Sequence, residues 1–152
     1  MNVVKPRRAF SLIELVIVVV IIGIIAAIAI PRMSRGATGA AESALKTDLA
    51  QMRQQIEMFQ TENGGNYPTA AGLQQALTGY SDGTGNTVAY APARPAGFPY
   101  GPYMREIPKL PMGANKDLQT IAAAAAAGVA WVYDNTSHDI HGNTGNATYD
   151  TW

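Results

Sequence analysis

The sequence predicts an α+β protein, a long amino-terminal helix packed on a small antiparallel sheet head. The helix is half membrane-crossing and half amphipathic. Three observations carry this expectation. Leu15–Ile30 is free of charge, and Phe10–Ile30 is a 21-residue stretch whose one ionisable member is Glu14. Leu45, Leu49, Met52, Ile56 and Phe59 recur at alternating spacings of four and three, an apolar seam of helical period. Val129-Ala130-Trp131-Val132-Tyr133 has the β-branched and aromatic composition of a strand.

As a helix, Phe10–Ile30 would be about 31 Å long, close to the ~30 Å hydrocarbon core of a bilayer. Lys5, Arg7 and Arg8 stand just before it, and a positive flank predicts a cytoplasmic amino terminus and an exported remainder. Glu14 is the anomaly. A carboxylate there is costly and marks a partner that neutralises it. Nothing in its own helix is expected to do so, since the nearest charges, Arg8 and Arg32, lie outside the span. A secretory signal peptide has a shorter apolar region ending at a small-x-small site, for which Ala27-Ile28-Ala29 is a passable decoy. A plain signal anchor accounts for length and flanking charge but gives no reason for Glu14.

The run Ala9-Phe10-Ser11-Leu12-Ile13-Glu14 with its basic leader resembles the amino terminus of type IV pilins and type II secretion pseudopilins. The resemblance implies cleavage between Ala9 and Phe10 by a prepilin peptidase, with methylation of the new Phe10 amine. The family usually has Gly before the cut. Ala9 stands there instead, and its methyl is small enough for a subsite that rejects bulk. Glu14 becomes the fifth mature residue, and Pro31 matches the family's kink proline. The implied organisation is a leader over 1–9, a transmembrane helix over 10–33, an amphipathic helix over 34–64 and a globular head over 65–152. The implied partners are the prepilin peptidase, copies of itself and other pilin-like subunits, and an inner-membrane assembly platform.

Pro31 lacks an amide hydrogen and should kink or loosen the helix near Ile30–Met33, with Gly36 and Gly39 weakening the next turns. The seam then firms the helix until Asn63-Gly64-Gly65, which tolerate positive φ. From Phe10 this is a helix of about 54 residues and ~80 Å. The seam could alternatively form a two-stranded coiled coil. Thr69 is placed to cap a helix over Ala70–Thr78, with Leu73 and Leu77 on its inner face. Residues 79–102 read as a long irregular loop. The alanine run 122–127 reads as a short helix or coil. Asp139–His141 should return beside the Val129–Tyr133 strand, and Thr148–Trp152 is a candidate third strand. Asn66-Tyr67-Pro68-Thr69 with Gly72-Leu73 and Leu77, and Gly101-Pro102-Tyr103-Met104 through Pro111, make the head resemble a major pseudopilin most.

Composition excludes several functions. There is no cysteine, hence no disulfide, thiolate nucleophile or cysteine metal site. The head's closing loop must hold by packing alone. Without the leader, eight basic residues face eleven acidic ones, a net of −3, the wrong sign for nucleic acid. No phosphate loop or nucleophile elbow is present. His138-Asp139-Ile140-His141, with Asp134 nearby, is a weak metal candidate, because an odd offset on a strand splits the imidazoles between faces. Ser81-Asp82-Gly83-Thr84-Gly85-Asn86 could hold calcium weakly, although it does not align with the calcium loop of the family. No set of residues proposes an active site. The expected function is a structural pilin or pseudopilin subunit, anchored by one pass in the inner membrane and drawn into a periplasmic or surface filament. The alternatives are a monomeric, membrane-anchored extracytoplasmic binding protein and an exported enzyme.

Overall fold

The computed structural model describes residues 10–152. The leader, with Lys5, Arg7, Arg8 and Ala9, lies outside the described residues. The chain divides into two compact units between Ala40 and Ala41. One helix, α1 (Leu12–Glu62), contributes to both. Its helical backbone passes Pro31, Gly36 and Gly39 without a break. It begins after Ser11 rather than at Phe10, because serine favours the position just outside the first turn.

In the second unit the seam is the core. Leu45, Leu49, Met52, Ile56 and Phe59 are each at most 2% exposed. The first four pack with Leu73, Leu77, Ile107, Leu110, Trp131, Tyr133 and Ile140. The strand with Trp131 and Tyr133 is expected to cover the whole seam, yet Phe59 has another neighbour. Its ring meets Tyr103 edge-on at 5.7 Å between centroids. A seam buried this completely inside its own head is not free to zip onto a second helix.

The helix stops where the sequence supplies its terminator. Gly64 and Gly65 have φ of 67° and 89°, and the Gly65 amide donates to Gln60 O at 2.9 Å. Asn63 does more than end the helix. It is fully buried, and its Nδ2 donates to Phe59 O at 2.8 Å and to Ser81 Oγ at 3.0 Å. Its Oδ1 accepts from the Gly85 amide at 3.3 Å. A buried amide satisfied on both ends ties the helix end to the segment 18–22 residues downstream.

Five short strands and a second helix complete the unit. The helix α2 is Leu73–Thr78, shorter than expected from Thr69. The Ala70 amide donates instead to Asn135 Oδ1 at 2.7 Å, and Thr69 closes only a turn with Gly72. Residues 79–102 are not wholly irregular. Strands β1 (Tyr80–Ser81) and β2 (Thr87–Val88) form an antiparallel hairpin, with Ser81 also bridged to Tyr100. Arg94 fastens the rest, donating to the carbonyls of Pro99 and Gly101 while its guanidinium lies 5.4 Å above the Tyr80 ring.

The main sheet has the order β3-β4-β5, with β3 Ile121–Ala122, β4 Trp131–Tyr133 and β5 Ile140–Gly142. As expected, β4 and β5 are antiparallel, with Val132 opposite His141. The third strand is β3, which runs parallel to β4, and not Thr148–Trp152, which forms turns. The alanine run forms no helix. Asn143 Nδ2 donates to Ala126 O at 2.9 Å, and Asn115 Oδ1 accepts from the Gly128 amide at 3.1 Å. A stretch this short cannot nucleate a helix alone, and these tertiary bonds decide its path. Gly142 lets β5 close on the helix, because a Cβ there would lie 3.1 Å from both Leu45 and Leu110.

The closing segment is held by more than packing, contrary to the expectation. Lys46 Nζ sits 4.1 Å over the Trp152 ring, and Tyr149 donates to Glu42 Oε1 at 2.7 Å. Arg53 pairs with Asp139 at 2.6 Å and donates to the carbonyls of Ile140 and Trp152. A polar stripe of α1 beside the seam thus fastens residues 139–152.

Two outcomes are expected of this core. Truncating a buried Phe to Ala typically costs about 3–5 kcal/mol, so Phe59→Ala in a soluble chain starting near Met33 should melt far below its parent. An unchanged melting temperature would mean that Phe59 is not part of the core. The second concerns alkali. Burial pushes the hydroxyls of Tyr103 and Tyr133 up to about 12, from an ordinary value near 10. A raised phenol contributes stability below the unfolded value and loses it as pH rises through the folded one. Stability should therefore fall between pH ~10 and about 12. In phenolate absorbance, Tyr103→Phe and Tyr133→Phe should each remove a late-titrating group; early titration of all tyrosines would contradict this.

Candidate assembly site

The first unit presents an apolar surface that none of the described residues bury. Leu12–Ile30 is 19 residues with a mean hydropathy of 3.2, and none of it is buried within the described structure. By length and composition it is able to cross a membrane. Burying one Leu, Ile or Val side chain is worth about 1.5–3 kcal/mol. A helix lined with them on all sides demands lipid or other apolar helices as its surroundings.

At its start, Phe10 is 87% exposed. Glu14 is in the first turn of α1, and its Oε2 accepts a hydrogen bond from the Ser11 backbone amide at 2.8 Å. The start of its own helix thus gives Glu14 a hydrogen-bond donor without neutralising its charge. The partner is a main-chain donor and not a charge. Sequence reasoning passed over Ser11, although Ser-x-x-Glu before an apolar run is a readable capping signature.

Basic leader, small residue, Phe, capped glutamate and apolar helix follow one another without interruption. Residues 4–30 match the family model of the prokaryotic N-terminal methylation motif. The chain thus carries a type IV pilin-like, prepilin-type segment. Comparison with curated proteins and with solved structures gives no match.

The head's two metal candidates assemble no ligand set. His138 is not on a strand but in the turn before β5, with φ of 60°, and its ring stacks on Tyr67 at 4.0 Å. His141 is on β5. Asp139 is engaged by Arg53, and Asp134 accepts from the Thr136 amide and the Ser137 hydroxyl. In the 81–86 segment the Asp82 carboxylate accepts from the Thr84 amide and hydroxyl and from the Asn86 side chain, each at 2.8 Å. These bonds, the Asn86 side chain first, hold its carboxyl down at about 2. Among the described residues no group of three His, Cys, Asp or Glu could hold a metal.

The donors around Asp82 already do what a cation would do. Calcium or a chelator is therefore expected to leave the melting temperature unchanged. A calcium-dependent rise abolished by Asp82→Ala would establish a site there.

Proposed function

We propose that this protein is a structural subunit of a helical filament anchored in the inner membrane, of the type II secretion or type IV pilus kind, and not a catalyst. The observation that carries the reading is the exposed apolar helix Leu12–Ile30, whose one ionisable residue, Glu14, stands inside the methylation motif. A prepilin peptidase cuts between Ala9 and Phe10, and the freed amine is methylated. The amino terminus stays cytoplasmic until assembly, the head is extracytoplasmic, and Pro31 supplies a kink where the span ends. The filament then stands in the periplasm or at the cell surface.

The physics of assembly follows. On leaving lipid, the span packs against neighbouring apolar helices through Val, Ile and small Ala and Gly residues. Glu14 pairs with the Phe10 amine of an adjacent copy, so that two charges costly in lipid become one neutral pair at a fixed axial offset. Such a head-to-tail contact does not close on itself, and open filaments result. The alternative, a monomeric anchored binding protein, draws on a cleft of about 690 Å³ lined by Tyr90, Tyr103 and Arg105. Protein that never polymerises with its assembly machinery would favour that alternative.

Intact mass tests processing. Protein from a host with a prepilin peptidase should lack residues 1–9 and carry one added methyl. Ala9→Gly should be cut at least as fast, and Ala9→Leu should block cutting. A retained Met1, or a cut after Ala29, would sink the reading. Assembly is tested at Glu14. Breaking one side of a buried pair typically costs about 3–5 kcal/mol, a loss repeated at every subunit. Glu14→Gln should insert and be cleaved normally yet yield few or no filaments as the sole copy. Normal filament number and length by electron microscopy would rule out the pairing.

A further inference from the structure

Glu14 has a partner before any second subunit arrives. Ser11 immediately precedes α1 and Glu14 is the third residue of the helix, so the 2.8 Å bond from the Ser11 amide to Oε2 has the spacing of a capping box. A charge-assisted hydrogen bond and the positive end of the helix both act on the carboxylate there. Each strengthens as the surroundings lose water. One oxygen is thereby occupied and the side chain is no longer free to sample its rotamers, an entropy cost that otherwise falls due on association.

We propose that this cap positions Glu14 for assembly: the Ser11 main-chain N–H holds Oε2, and Oε1 is presented to the Phe10 amine of the next copy. The inference rests on the subunit pairing proposed above and names the residue that sets its geometry. Ser11 is a positioning residue that acts through its backbone and not its hydroxyl. The same bond gives the waiting subunit a donor for a carboxylate at the membrane border.

Two substitutions separate backbone from side chain. Ser11→Ala keeps the N–H, whereas Ser11→Pro deletes it at a helix start where proline is tolerated. Ser11→Ala should form filaments like the parent. Ser11→Pro, cleaved and inserted, should form at least about tenfold fewer, the weight of a charged hydrogen bond. Normal filaments from Ser11→Pro, or equal loss in both variants, would overturn the proposal.

A direct reading needs neither cleavage nor assembly. In the full uncut chain in detergent micelles, hydrogen exchange at the Ser11 amide is compared with that in Glu14→Ala. The first amides of a helix have no acceptor within it, so protection there must come from a side chain. Exchange should be slowed about tenfold or more in the parent and restored in Glu14→Ala. Equal rates would overturn the cap whatever the filaments do. Normal filaments from Glu14→Gln alongside a protected Ser11 amide would instead overturn the pairing on which the proposal depends.

Discussion

An apolar helix surface that its own fold leaves bare is the constraint on which the rest depends. From Leu12 to Ile30 every side chain but Glu14 and Gly23 is apolar and none is buried within the described structure. From Leu45 onward the same helix changes character, and only the Leu45–Phe59 seam is buried. One continuous element therefore has two solvents, lipid or neighbouring spans for its first half and a folded head for its second. The placement of Glu14 and the match to the methylation motif gain meaning from the first demand. The strands, the turns and the buried Asn63 answer the second.

The head meets its demand without a covalent cross-link. Small domains lacking disulfides depend on apolar burial and on polar contacts that close loops. Here α1 carries both kinds side by side. The seam holds Trp131, Tyr133 and Ile140, and the adjacent stripe of Glu42, Lys46 and Arg53 holds Tyr149, Trp152 and Asp139. Arg53 suits its place because a planar guanidinium can reach a carboxylate and two carbonyls together, which an ammonium point charge does less well. Exposed ion pairs contribute little singly. The stripe acts as a set that orders one segment.

The α+β class, the apolar span, the seam and the β4–β5 pair were legible because each rests on periodicity or composition over several residues. What escaped the sequence rests on single long-range bonds. Thr69 has the chemistry of a cap, yet Asn135 takes the Ala70 amide and shortens α2. The alanine run has high helix propensity, yet Asn115 and Asn143 pin it as a loop beside a two-residue strand. Asn63 looked like a helix terminator and is also a buried junction. At the candidate site the capping spacing was visible in Ser11 and Glu14. The donor is an uncharged main-chain N–H, which the charge pattern alone does not reveal.

The pinned alanine loop has a practical consequence. Ala123–Ala127 are exposed, their side chains are bare methyl groups, and the loop is held through its backbone. The chain contains no cysteine, so Ala124→Cys would introduce its single thiol at a position where no side-chain bond is lost. A fluorophore or spin label attached there would report on the head without a second site to confuse the signal.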